Sequence, residues 1–451
     1  MDSEIIRNVR KGKKKKRTSF QMIVTGFAGV IFLGAFLLML PVSSASHETT
    51  PFSDALFTST TSVCVTGLVV QDTGTYWSLF GQSVILLLIQ IGGLGVVTVA
   101  AFLSMAAGRK IGLFQKSVMQ EAIAAPQMGS VLKLLGVILK CTLVMELIGA
   151  IVMAPVFCRG FGMSKGIWMS VFHSISAFCN AGIDLMGVKE PYSSLICYRA
   201  NPIMNLMIMS LIVTGGIGFL TWDDIRSHGI HLKKYRMQSK VILTATGFLI
   251  VLPAMFFFLF EFGEMPLGER LLSSFFQSVT SRTAGFNTVD LSTMSESGQL
   301  LMSFLMLIGG APGSTAGGMK ITTFVVLLAC ATSVFRRRDS VQLFGRRIAH
   351  STISAAVTIL VIYSALVISG AIVISMAEGL PLLTCLYETT SAIGTVGLTL
   401  GITPQLGNFS KCILILFMFM GRVGGLTLIY ATQTGYVVQM GKLPQEKITV
   451  G

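Results

Sequence analysis

The sequence predicts an all-α integral membrane protein. Its fold class is four parallel span–pore-helix–span repeats, giving eight transmembrane helices and four re-entrant pore loops around one central pore. Three observations lead there: an apolar composition, an alternation of basic with acid-rich segments, and a glycine-ended motif that occurs four times.

Of the 451 residues, 52% are hydrophobic and 12% are charged. A soluble domain carries roughly 25% charged residues, so this chain lacks the charge to coat itself for water. The composition overrides the three soluble domains that length alone suggests at about 150 residues each. It also excludes a secreted disulfide scaffold and a disordered regulator.

Windows of about 20 mostly apolar residues are long enough to cross a bilayer as helices. Eight meet that measure: 20–41, 77–104, 131–155, 202–221, 241–261, 300–332, 353–377 and 411–434. The first reads as a retained span. Its apolar core from Met22 to Leu40 exceeds a signal-peptide h-region, and no small-residue cleavage site follows cleanly.

The net charge of +14 reads as topology. Twenty-five of the 34 Lys and Arg residues fall in 7–17, 109–140, 226–240, 336–347 and, near the end, Lys442 and Lys447. The segments between are poor in Lys and Arg and carry acids such as Glu261, Glu264, Glu269, Asp290 and Glu296. By the positive-inside rule the basic loops and both termini are cytoplasmic, in a multi-pass protein of the cell (plasma or inner) membrane. The basic run 13–17 reads as a topology anchor or a contact with membrane lipids. No aromatic interleaving points to nucleic acid.

Between the two spans of each repeat lies a segment too short and polar to cross. With the final glycines aligned, Phe57, Phe172, Phe275 and Tyr387 stand ten residues before Gly67, Gly182, Gly285 and Gly397. Hydroxyl-rich turns lie between, and Leu68, Ile183, Phe286 and Leu398 follow. The glycines are 115, 103 and 112 residues apart, the fixed-period self-similarity of an internal repeat. The chain therefore divides into a basic N-terminus (1–19), repeat 1 (20–108, loop 64–67), repeat 2 (109–225, loop 179–182), repeat 3 (226–335, loop 282–285), repeat 4 (336–435, loop 394–397) and a C-tail (436–451). Each repeat starts from a basic flank, so the repeats are parallel and related by an axis along the membrane normal.

Non-helical backbone at membrane depth must line water or be buried in protein. Glycine permits close backbone approach and positive φ, so four such loops can turn rings of carbonyl oxygens toward the axis and replace a cation's hydration shell. The candidate groups are the backbone of Val65, Thr66 and Gly67; Asn180, Ala181 and Gly182; Thr283, Ala284 and Gly285; and Thr395, Val396 and Gly397. Half-helices near 53–64, 167–179, 270–281 and 382–393 would aim their partially negative C-termini at the same point. That favours a dehydrated monovalent cation, and the loops hold no ring of carboxylates for a divalent one.

On these residues the chain resembles the Ktr/Trk/HKT superfamily of potassium transporters, most of all its KtrB-type translocating subunits. The resemblance is carried by the four units, by the stretch from Ser62 to Leu68 and by the stretch from Ile308 to Lys320. It implies K+ as the transported ion, with Na+ as a second candidate, and no covalently bound cofactor. It also implies a homodimer regulated by a cytosolic, nucleotide-binding KtrA-type ring. In the family a glycine at all four positions goes with potassium preference, whereas Ser at the first accompanies sodium transport in some plant members. The third loop departs from a neat pattern, with Arg282 three residues before Gly285.

The sixth span is interrupted by Gly309, Gly310, Ala311, Pro312, Gly313, Ser314, Thr315, Ala316, Gly317 and Gly318. Gly costs about 1 kcal/mol and Pro about 3 kcal/mol against Ala inside a helix, and broken helices in membranes sit at pathways. The functional reading, which the resemblance supports, is a gate below the filter; the bland one is a packing kink. Met319 follows where a phosphate-binding loop requires Lys. Arg422 lies inside the eighth span, and a charge there should face the interior or a water-filled path. Lys320 can do the same. The resemblance implies that a basic residue at position 422 opposes ion passage near the gate; the alternative is a partner for a backbone carbonyl.

Glu146, in the third span, is read as pairing with Lys140 or a polar neighbour rather than relaying protons. The eight cysteines form no CxxC pair, His228 and His231 sit in a basic loop, and no catalytic constellation converges. The sequence therefore does not read as an enzyme. An ion-coupled secondary carrier for Na+ or another monovalent cation is the alternative, although such folds usually carry inverted repeats.

Overall fold

The computed structural model describes residues 18–107, 112–123, 129 and 131–432. The basic run 13–17, Arg109 and the tail with Lys442 and Lys447 lie outside the described residues.

Four times the chain runs through a long helix, a short helix and a broken helix. The first set is Ser19–Met39 (α1), Phe52–Val63 (α2), and Leu79–Leu94 (α3) with Val96–Ala106 (α4). Helix Leu113–Ala122 (α5) leads to Val131–Phe161 (α6), Met163–Phe178 (α7), and Pro202–Gly216 (α8) with Phe219–His228 (α9). The third set is Met237–Phe256 (α10), Leu267–Thr280 (α11), and Glu296–Leu307 (α12) with Ile321–Phe335 (α13). A hairpin of Gln342–Leu343 (β1) and Arg346–Arg347 (β2) precedes the last set. That set is His350–Glu378 (α14), Leu382–Gly394 (α15), and Asn408–Val423 (α16) with Gly425–Thr432 (α17).

By length and composition, four helices (within α1, α6 and α14, and α10 with its continuation to Glu261) are apolar enough to cross a membrane, or up to seven if each bent pair is one span. The remaining expected span, the sixth (300–332), corresponds to α12 and α13, which are separated by the non-helical stretch 308–320.

The sequence points to a break in that segment alone. The structure corrects this: 77–104, 202–221 and 411–434 are not straight either. They bend by 95°, 97° and 92° at Gly95, Gly218 and Gly424, whose φ angles are 88°, 86° and 94°. Only glycine adopts such angles without strain. Three residues before each bend, Gly92, Gly215 and Gly421 press on the carbonyls of Val63, Phe178 and Ile393 at the ends of α2, α7 and α15, where a Cβ would overlap them. The motif is legible in hindsight as Gly-Gly-Leu-Gly at 92–95, Gly-Gly-Ile-Gly at 215–218 and Gly-Arg-Val-Gly at 421–424. Arg422 stands in the slot of Gly93 and Gly216.

Each short helix is pinned to the long helix of its own set by a hydroxyl donating to a main-chain carbonyl. Ser59 donates to Ile31 at 2.6 Å, Ser174 to Glu146 at 2.6 Å, Ser278 to Ile250 at 2.7 Å and Thr389 to Val367 at 3.3 Å. Ser278 also donates to the Leu249 carbonyl at 3.1 Å. Pro253, four residues on, has no N–H to offer that oxygen, so the serine supplies the missing donor.

These bonds correct the alignment of the third set. Ser59, Ser174 and Thr389 lie eight residues before their glycines, but Ser278 lies seven before Gly285. The third loop is one residue shorter. The buried aromatic matching Phe57, Phe172 and Tyr387 is accordingly Phe276, not Phe275, which is only half-buried.

Candidate functional site: four glycine loops between two cavities

The short helices end just before the four glycines and deliver them to one point. A Cβ on Gly67 would lie 2.6 Å from the carbonyl oxygen of Ala181. On Gly182 it would lie 2.5 Å from that of Ala284, on Gly285 2.5 Å from that of Val396, and on Gly397 it would overlap that of Thr66. The carbonyl one residue before each glycine thus abuts the preceding set's glycine, in the cyclic order 1–2–3–4–1. The ring closes, and none of its four positions has room for a side chain.

The backbone repeats as well. Two residues before each glycine, Val65, Asn180, Thr283 and Thr395 are left-handed, with φ of 49°, 58°, 67° and 51°. The glycines follow at 100°, 64°, 85° and 93°. A β-branched residue at positive φ costs of order 1–3 kcal/mol and persists only where its surroundings over-determine it. Here the surroundings are the short helices. The N–H groups of Thr66, Ala181 and Val396 donate to the carbonyls of Thr61, Ser176 and Ser391 at 2.8 Å, and Ala284 donates to Thr280 at 3.0 Å. The same four hydroxyl residues brace the loops through their side chains. Thr61 and Ser391 accept from the N–H of Gly67 and Gly397 at 2.9 and 3.0 Å, while Ser176 and Thr280 donate to the carbonyls of Ile183 and Phe286 at 2.7 and 2.5 Å. Asn180 and Thr283 also meet side chain to side chain at 3.2 Å, joining loops 2 and 3.

On one side of the ring a cavity of about 450 Å³ touches all four glycines. Asp72, Asp184, Glu190 and Asp290 line it, and no Lys or Arg does. Burial above all, with the Asp72 carboxylate adding, pushes the Asp184 carboxyl up to about 7, against the opposing N–H of Met186.

On the other side a cavity of about 260 Å³ is lined by Lys320, Arg422 and Glu121 together with Pro312, Gly313, Ser314 and Ala316 of the interrupting loop. That loop is closely held. Ala311 and Thr315 donate their N–H groups to the carbonyls of Gly216 and Gly215 at 2.9 and 3.3 Å; Gly318 donates to Gly421 at 3.1 Å; Gly309 donates to Met319 at 2.7 Å. Ser314 Oγ donates to the Ala311 carbonyl at 2.7 Å and Thr315 Oγ1 to that of Phe178 at 3.1 Å. Gly310 accepts from the Ile321 N–H at 3.0 Å. A Cβ on Gly317 would strike the Thr395 side chain, so the loop lies directly against the ring. Lys320 Nζ donates to the carbonyls of Ala316 at 2.7 Å and Gly317 at 3.4 Å. The Arg422 guanidinium donates to the carbonyls of Thr315, Gly92 and Gly93.

A family model described as the cation transport protein TrkH matches residues 7–440. The chain belongs to the TrkH family of cation transport proteins. Within it, this chain is 38% identical to the potassium/sodium uptake protein NtpJ of Enterococcus hirae, over 98% of this chain and 99% of that one. It is 39% identical to the Ktr system potassium uptake protein B of Bacillus subtilis, over 91% and 92%. Among solved structures, the potassium transporter TrkH from Vibrio parahaemolyticus has the same fold, with a TM-score of 0.72 over 94% of this chain and 86% of that one at 19% identity.

Within this TrkH-family fold, all twelve residues singled out at 65–67, 180–182, 283–285 and 395–397 meet at the ring, and 309–318, Lys320 and Arg422 gather on one side of it. Arg282 does not face the ring's carbonyls: it is buried and bonded to Thr246 of α10 at 3.3 Å. Of the two partners read for Glu146, Lys140 or a polar neighbour, it takes polar neighbours. Its carboxylate lies 3.9 Å from Cys179 Sγ, behind loop 2, beside Gln90. The sequence reading missed the acid-lined cavity, because Asp72, Asp184 and Asp290 come from three different sets. It missed the ion pair of Lys411 with Asp54 at 3.3 Å for the same reason; that pair ties α16 back to α2 and closes the seam between the last set and the first.

Proposed function

We propose that the protein is a potassium-uptake subunit that conducts K+ through the Gly67/Gly182/Gly285/Gly397 ring, with the 309–318 loop as gate. The cyclic abutment of each glycine on the next loop's carbonyl is the observation that carries the reading. A ring of backbone oxygens substitutes for a cation's hydration shell, and the alternating sign of φ along each loop turns successive carbonyls toward one side rather than to opposite sides. Helices α2, α7, α11 and α15 add their partially negative C-terminal ends.

The two cavities give the path a direction. Carboxylates on one face concentrate cations ahead of the ring, while Lys320 and Arg422 on the other face oppose them until the loop moves. In this reading the eight crossings are α1, α6, α10 and α14 with the four broken pairs, and the basic flanks face the cytoplasm. Relatives named as parts of a Ktr system support association with further components of such a system, which in this reading are a second copy of the chain and a cytosolic nucleotide-binding ring, and the name of NtpJ supports a role for Na+ beside K+.

Radioactive rubidium uptake into proteoliposomes holding the purified full chain tests the proposal. Uptake should be suppressed by unlabelled K+ at lower concentration than by Na+, and not by a large organic cation. Uptake indifferent to K+ would sink it. Strict dependence on a co-transported ion gradient would favour a coupled carrier instead.

A further inference from the structure

The loop 229–236, which leads into α10, and the β1–β2 hairpin, which leads into α14, fold toward each other around a cleft of about 550 Å³. Six cations line it: Lys233, Lys234, Arg236, Lys240, Arg346 and Arg347. No carboxylate does. Arg236 is satisfied by Asp223 at 2.9 Å and Asp224 at 3.4 Å, and Lys240 Nζ donates to the Lys233 carbonyl at 2.8 Å. The other four form no ion pair among the described residues. Membrane topology asks only that cations stand on this side of the bilayer. It does not ask two segments more than a hundred residues apart to gather them around one acid-free cleft, against their mutual repulsion.

Exposed apolar side chains stand on the same two segments, and Phe344 lines the cleft itself. Ile230 is 92% exposed, Leu232 59% and Phe344, in the left-handed hairpin turn, 53%. Both helices that leave the cleft, α10 beginning at Met237 and α14 at His350, are long and apolar enough to cross a bilayer. The cleft therefore lies where they enter the membrane. Cations around a hollow, exposed apolar side chains beside it and two membrane-length helices rising from it match an amphiphile whose head is anionic. We propose that this cleft binds the phosphodiester headgroup of an anionic membrane phospholipid, bridging the loop before α10 and the hairpin before α14. A soluble acidic protein surface would neutralise the cations but leave no reason for exposed apolar side chains on the same segments, and free phosphate would use none of them. The site stands independently of the ion-conduction reading.

The test is native mass spectrometry of the full chain released from nanodiscs, comparing dioleoyl-phosphatidylglycerol with dioleoyl-phosphatidylcholine. The wild type should retain the anionic lipid in preference. The combined variant Lys233→Gln, Lys234→Gln, Arg346→Gln and Arg347→Gln should lower that preference by about tenfold or more, since each surface cation contributes about 1 kcal/mol toward an anionic lipid. Two controls separate the site from bulk charge and from misfolding. Arg336→Gln, Arg337→Gln and Arg338→Gln together should keep the preference, as should the charge-preserving Lys233→Arg, Lys234→Arg, Arg346→Lys and Arg347→Lys. The proposal fails if the wild type shows no preference, if both charge-removing sets lose it equally, or if the charge-preserving set loses it. It fails as well if excess inorganic phosphate displaces the lipid completely, or if the combined variant keeps its lipid and loses only an acidic protein partner.

Discussion

Arg422, at the end of one broken helix, holds the main-chain carbonyl of Thr315, in the middle of the loop that interrupts another. The same guanidinium reaches Gly92 and Gly93 at the end of α3. One side chain therefore fastens the breaks of the first and fourth sets to the loop of the third. Hydrogen bonds to a charged group contribute about 1.5–3 kcal/mol each. Losing one should shift the loop's open population by about tenfold or more, since 1.4 kcal/mol is a factor of ten. Arg422→Gln should therefore raise basal rubidium flux in proteoliposomes without any partner protein. Unchanged or lower flux from correctly inserted protein would count against the gate.

Deleting 311–317 probes the loop without touching the arginine. The deletion removes the bonds to Gly215, Gly216 and Phe178 and unblocks the face of the ring under Thr395. Basal flux should rise above wild type, and adding Arg422→Gln to the deletion should raise it little further, because both changes remove the same obstruction. Additive effects would mean two separate barriers.

The 3.2 Å contact between Asn180 and Thr283 joins neighbouring loops at their left-handed residues. Replacing one partner strands the other, whereas replacing both by apolar groups of similar shape costs less. Asn180→Leu and Thr283→Val should each lower the thermal unfolding midpoint and the preference for rubidium over sodium. The double variant should recover part of the loss, with a coupling energy of about 0.5–1.5 kcal/mol. A coupling near zero would show that the two loops hold their positions independently.

Much of this arrangement is legible in the sequence, because a closing ring with no room for a Cβ leaves glycine as the residue that fits at each of its four positions. Gly67, Gly182, Gly285 and Gly397 announce the loops, and the run of five glycines and a proline at 309–318 announces the interruption. The register of the third loop is not legible from aromatic-to-glycine spacing. Phe275 and Phe276 are adjacent, and only the hydroxyl pair Ser278 and Thr280, set against Ser59 and Thr61, reveals the missing residue. The bends at Gly95, Gly218 and Gly424 hide inside apolar runs that score as straight helices, since hydropathy is blind to φ. The partner of Glu146 is hidden differently. Lys140 is six residues away on the same helix, off the face that i+3 and i+4 neighbours share, and the polar neighbours that hold the carboxylate, Cys179 and Gln90, lie on other elements.

With the acid-lined cavity on the outer side, as proposed, Asp184 should give uptake a pH dependence. Its carboxyl sits in the acid-lined cavity, facing Asp72, Glu190, Tyr192 and Asp290, with a pKa raised to about 7. As external pH falls from 8 to 6 it gains a proton and loses its charge, so the cavity attracts cations less. One charge at roughly 10 Å in water is worth about 0.4 kcal/mol, a factor of about two. The apparent KM for K+ should rise by about that factor, and Asp184→Asn should hold KM at the acid-limb value across the range. A wild-type KM that stays flat between those pH values would contradict the assignment.

The central claim is that the four glycines form the selective ring, and the most direct measurement of it is the ratio of rubidium to sodium uptake by wild type and Gly67→Ser in proteoliposomes. Gly67 has a φ of 100°, and a Cβ there would lie 2.6 Å from the Ala181 oxygen, so serine must displace a carbonyl of the ring. The ratio should fall by about tenfold, equivalent to about 1.4 kcal/mol of lost discrimination, while the protein still inserts. A Gly67→Ser protein with wild-type uptake and an unchanged rubidium-to-sodium ratio would show that ions pass elsewhere.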